Sequence, residues 1–169
     1  MSDDTDQPPI TPRDLFLADI PLTAACAAHA GTSHMPERRG DQERASYADT
    51  LASDLAALEA IATTDEKRAV LVTEFTRYRD GYGRHYRAYL DARARCISIL
   101  VTGGGNFPTR RNQKRNAIAD KRCSELVEFR KRALTAIRKA LQPELAPVMA
   151  GDADAVSRLR ADLEKRERL

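Results

Sequence analysis

Leu71, Phe75, Tyr78, Tyr82, Tyr86, Tyr89, Arg93, Cys96 and Leu100 follow one another at steps of three or four residues, the period of one face of an α-helix. At 1.5 Å per residue, a seam running from Asp65 to Val101 makes a rod about 50 Å long. Gly81 and Gly83 fall inside it, each costing about 1 kcal/mol relative to Ala, which predicts a bend or a close approach by another backbone. Thr102 to Pro108, with three glycines and a proline, cannot continue the rod. A second long seam of Ala119, Cys123, Leu126, Phe129, Ala133, Ile137 and Leu141 follows, on a helix from Thr109 or Arg110 to Gln142. A turn this short leaves the two rods little choice but to pack antiparallel.

Tyr47, Leu51, Leu55, Leu58 and Ala62 give a further amphipathic helix from Gln42, ended at Thr63, which stands in capping-box relation to Glu66. Before it, Pro8, Pro9, Pro12, Pro21 and Pro36 exclude a long helix, although Asp14 to Ile20 and Thr23 to Ala30 allow short ones. Pro143 and Pro147 end the last long helix, and Gly151-Asp152 opens a short one striped by Val156, Leu159 and Leu163. The expected fold is therefore all-α. It has an irregular N-terminal arm (1–43), a three-helix bundle with a Gly-rich hairpin tip at 102–109 (44–142), and a short C-terminal helix (143–169). An aromatic content of only 5 %, without Trp, agrees with a core of Leu, Ala and Val rather than a β-rich one.

Cys26, Cys96 and Cys123 form no Cys-x-x-Cys pair and have no His at ligand spacing, so all three are expected reduced, with no metal and no cofactor. The acidic start and the absence of an apolar run of about 18 residues predict a cytoplasmic protein with no membrane partner.

Charge is where the sequence speaks about function. The net charge is only +3, yet Arg110 to Lys139 hold eleven Lys or Arg against Asp120, Glu125 and Glu128, which leaves +8 there and −5 on the remainder. Arg110, Arg111, Lys114 and Arg115 crowd a helix N-terminus, where the macrodipole favours acids. Such a violation points to an anion site: backbone N–H groups and guanidinium forks suit phosphate oxygens, with Asn106, Thr109 and Asn112 adding neutral donors and Phe107 able to stack or to anchor in a partner. No strand precedes the glycines, so they match neither a P-loop nor a dinucleotide fingerprint.

An extended arm carrying His34, Arg38 and Arg39 is long enough to reach this tip, with Gly81 and Gly83 where it crosses the rod. Arg93 is expected to snorkel or to pair with an acidic neighbour such as Glu43 or Asp49, His85 to be exposed, and Cys123 to face the core. Paired carboxylates for catalysis are missing from the tip, whose nearest acids are Glu37, Asp41 and Asp120, so no catalytic residue is assigned.

Two segments, Ser33-His34-Met35-Pro36-Glu37-Arg38-Arg39-Gly40 and Gly105-Asn106-Phe107-Pro108-Thr109-Arg110-Arg111-Asn112-Gln113-Lys114-Arg115, resemble paired motifs in proteins encoded by phages, prophages and related mobile elements. In those relatives the tip often reads Thr-Gly-Pro-Ala-Asn-Phe-Pro, where this chain has Gly104 and Gly105 in place of Pro-Ala. The resemblance covers Ser33 to Ala140 and implies mobile-element origin and a pairing of the two motifs. The expected partner is DNA or RNA, gripped by Arg110, Arg111, Lys114, Arg115, Asn106, Thr109, Asn112, His34, Arg38 and Arg39. The competing expectation is a host protein complex, with Phe107 as the anchor of an inhibitor of host defence.

Overall fold

The computed structural model describes residues 11–145 and 155–167, and among them every regular element is helical. Helices α1 (Pro12–Leu17), α2 (Leu22–Ala30), α3 (Pro36–Glu59), α4 (Asp65–Arg93), α5 (Ile99–Thr102), α6 (Thr109–Leu141) and α7 (Ala155–Glu167) follow in order, with a 3-10 turn at Pro143–Leu145.

Of the segment read as an irregular arm, the described residues, 11–43, are mostly helical. Thr11 caps α1 in a capping box with Asp14, whose carboxyl is held below its ordinary range by the Thr11 hydroxyl. Pro12 sits at the first helical position, where a missing N–H is harmless. Pro36 does the same for α3, which starts well before the expected Gln42. α1 and α2 lie against α3, and α2 also touches α4. Gly40 makes this crossing possible, because a Cβ there would meet Cys26 Sγ at 2.6 Å and the Cys26 backbone nitrogen at 2.7 Å.

α4 begins with Thr64 rather than Thr63 as its cap, the Thr64 hydroxyl accepting from the Lys67 N–H at 3.3 Å. It stops at Arg93, sooner than the seam suggested. α4 and α6 run antiparallel along each other: Lys67 at the start of one holds Glu144 just past the end of the other, Gly81 faces Phe129, and Ala92 packs with Ala119. α4 continues as one helix through both glycines. A Cβ at Gly81 would run into the Phe129 ring, so what approaches closely is a side chain of α6, not the arm. Tyr47, Leu51 and Leu58 of α3, Tyr78, Tyr82 and Leu90 of α4, and Leu126, Ile137 and Leu141 of α6 share one core with Phe16 and Ile20. Fully burying an aliphatic chain such as Leu51 or Leu141 contributes about 2 kcal/mol.

Cys123 is exposed, because the α6 face turns past it between Ala119 and Leu126. His85 is half-buried rather than exposed and stacks on Phe129 at 4.6 Å. Gly151 and Asp152, expected to open the last helix, lie outside the described residues. No helix among the described residues is long and apolar enough to cross a membrane.

Candidate nucleic-acid interface

The end of the molecule that carries both motifs is organised by residues 96–98. There the α4 ladder gives way to tertiary bonds. Ser98 N–H donates to the Gly31 carbonyl at 2.8 Å, while Ile97 N–H donates to Asn112 Oδ1 at 3.0 Å and the Ile97 carbonyl accepts from Asn112 Nδ2 at 2.8 Å. A Cβ at Gly31 would collide with the Cys96 carbonyl, so the leader passes directly over this turn. Ser98 then caps α5 by accepting from Leu100 N–H at 3.3 Å.

The tip follows. Gly103 and Asn106 both take left-handed conformations, with φ of 84° and 52°, which turn the chain back within a few residues; Asn tolerates this better than most side chains. α6 opens at Pro108 with no side-chain cap; Thr109 N–H donates to the Phe107 carbonyl at 2.8 Å, and the Arg110 and Arg111 N–H groups precede the first intrahelical bond, from Asn112 N–H to the Pro108 carbonyl. Arg110, Arg111 and Lys114 are exposed, Arg115 is half-buried, and none has an ion-pair partner among the described residues. Asn106 is exposed and Phe107 half-buried. The Thr109 hydroxyl donates to the Phe107 carbonyl at 3.4 Å. Asn112 is 7 % exposed, and its amide exchanges one hydrogen bond in each direction with the Ile97 backbone, so it braces the start of α6 against the 96–98 turn.

His34, Arg38 and Arg39 share a recess of about 370 Å³ with Ser33, Met35 and Gln42. Arg38 and Arg39 are exposed in the first turns of α3, itself without a side-chain cap, and no acid pairs with either among the described residues. The recess does not include Arg110 or Arg111. Gly31, in the loop before α3, and Asn112, in the first turn of α6, both bond to the 96–98 turn, and the arm arrives there as helix and loop, not as extended chain.

Elsewhere some cations meet acids, in three places that were not anticipated, while Arg84, Arg95, Lys131, Arg132, Arg138 and Lys139 have no ion pair among the described residues. Tyr78 donates to Asp54 Oδ2 at 2.6 Å, and Asp54, buried at 6 %, also receives Arg130 at 2.8 and 2.6 Å. Tyr47 donates to Asp19 at 3.0 Å, which Arg79 grips at 2.8 and 2.7 Å. Tyr86 donates to Glu43 at 2.7 Å, and His29 meets the other Glu43 oxygen at 3.2 Å. Burial, with the neighbouring carboxylate, pushes all three phenols above their ordinary range. These pairings correct the expectation for Arg93. Glu43 is taken by Tyr86 and His29 and Asp49 by Arg13, so Arg93 Nε is buried without a hydrogen-bond partner. Burial raises the Cys96 thiol above its ordinary value against the opposing charges of Arg93 and Arg115, so the thiol stays protonated and inert.

Among the described residues no cluster of His, Cys, Asp or Glu is placed to hold a metal ion. Compared with protein-family models, with curated proteins and with solved structures, the chain matches none.

Proposed function

We propose that this chain is a nucleic-acid-binding accessory protein of a phage or mobile element, working in the cytoplasm of a bacterial host. On this reading it is a three-helix bundle with an N-terminal wrap that grips phosphates with the tip of the α4–α6 hairpin and the start of α3. One observation supports the reading: Arg38, Arg39, Arg110, Arg111, Lys114 and Arg115 have no ion pair among the described residues, and the loop before α3 and the first turn of α6 are both bonded to the 96–98 turn, through Gly31–Ser98 and Asn112–Ile97. Cations in the body, such as Arg79 and Arg130, are satisfied internally. Unpaired guanidinium groups beside free helix N–H groups are suited to phosphate oxygens, and binding of this kind releases counterions.

Fluorescence anisotropy with single- and double-stranded DNA and RNA between about 50 and 200 mM salt tests this. The expected log K against log salt is steep. Arg110→Ala with Arg111→Ala weakens binding to all sequences alike and flattens the slope by about 2. Affinity independent of salt, or no binding at the lowest salt, overturns the reading.

Leu100, 82 % exposed, and Ile99 stand beside the same cations and favour a second reading, a protein partner in a host defence complex for which these residues and Phe107 are apolar anchors. Capture from nuclease-treated host lysate that is lost on Leu100→Asp supports this reading over the first.

A further inference from the structure

The core leaves two apolar surfaces unpartnered, and they belong to the same chain. The first is a groove of about 580 Å³ floored by Phe16, Leu71 and Phe75, with Leu15, Leu55 and Val72 on its walls. It follows α4 from Arg68 to Asp80, about 18 Å at helical rise. Val72 is 68 % exposed there, an unusual position for an aliphatic side chain beside so many others. The second is α7, whose Val156, Leu159 and Leu163 form one stripe and are all more than half exposed. α7 is 13 residues long, about 20 Å, the length of the groove. A helix of that length is marginal in water unless its apolar face is packed.

The connection fits as well. Lys67 Nζ holds Glu144 at 2.8 Å, so the chain leaves the body next to Arg68, at one end of the groove. The nine residues from 146 to 154 can span about 30 Å, more than the groove's length. Glu59 and Asp80 on the rim have no ion pair among the described residues, and α7 carries four Lys or Arg against three acids.

We propose that α7 docks in this groove of its own chain, with Val156, Leu159 and Leu163 turned inward against Leu71, Val72 and Phe75. The mode is an amphipathic helix laid in an apolar groove.

Hydrogen exchange of the full chain, with light scattering for its mass, tests the proposal. In the natural sequence the α7 amides should exchange at least about tenfold more slowly than an unstructured peptide. Val72→Asp, an exposed position whose substitution leaves the core intact, should abolish that protection, as should Leu159→Asp. Val127→Asp, also more than half exposed but on α6 away from the groove, should leave it unchanged. Exchange of α7 at peptide rates in the natural chain overturns the docking, and so does protection that survives Val72→Asp or is lost with Val127→Asp. Protection that grows with protein concentration alongside a doubled mass places α7 in the groove of a second copy and overturns docking within one chain.

Discussion

Asp54 shows how closely this interior is balanced. Its carboxylate is buried and stabilised by Tyr78 and by both arms of the Arg130 guanidinium, so the value of each partner is the penalty of leaving that charge unmet. Arg130→Ala should cost about 2–3 kcal/mol in urea unfolding, and Tyr78→Phe, which leaves the ion pair in place, about 1 kcal/mol. The tyrosines also fix how stability responds to alkali. Burial raises the phenols of Tyr47, Tyr78 and Tyr86 above the ordinary value near 10. Above about pH 10 the unfolded chain releases these protons while the folded chain keeps them; the unfolded state then binds fewer protons, and stability falls as pH rises. The urea midpoint should therefore hold steady from about pH 7 to 9 and decline beyond 10, with a shallower decline in Tyr78→Phe. Their spacing marked these tyrosines as a seam, but which acid each hydroxyl would find depended on contacts between residues 24 to 43 positions apart.

At the scale of elements, long periods were easy to read and ends were not. α6 was expected from Thr109 or Arg110 to Gln142 and spans Thr109–Leu141, because a seam of that length, bounded by glycines and prolines, has one solution. α4 was expected to continue to Val101 because Cys96 keeps the period; Cys96 is indeed buried, but the Ile97 and Ser98 amides donate to Asn112 and Gly31 instead of to the helix. The start of α3 was missed although Pro36 followed by Glu37 is a fair signal of a first helical turn. Gly40 is the clearest case of a residue whose reason is tertiary. In an exposed helix Gly→Ala gains about 1 kcal/mol, whereas at Gly40 the added methyl meets the backbone of Cys26 and forces α2 away from α3. Gly40→Ala should therefore destabilise by about 1–3 kcal/mol, read from thermal or urea unfolding. A stabilised variant would show that the crossing is looser than it is drawn.

For the molecule as a whole, the asymmetry of charge was visible in the sequence, and the structure adds that the cations at the starts of α3 and α6 have no ion pair among the described residues. If both helix starts face the same polyanion, Arg38→Ala with Arg39→Ala should lower the salt slope by about as much as the Arg110 and Arg111 pair, and the quadruple variant should lose about twice that. Equal slopes in the natural and Arg38/Arg39 variants would confine the contact to α6. What joins the two starts is made almost wholly of main-chain groups: the amide and carbonyl of Ile97, the amide of Ser98 and the carbonyl of Gly31. Drift at Ile97 or Ser98 can therefore change the side chains around this knot without undoing it. Position 112 has no such latitude. Even aspartate, nearly the same shape, would offer oxygens alone where one donor and one acceptor are needed, and would loosen the start of α6 from the turn at Ile97.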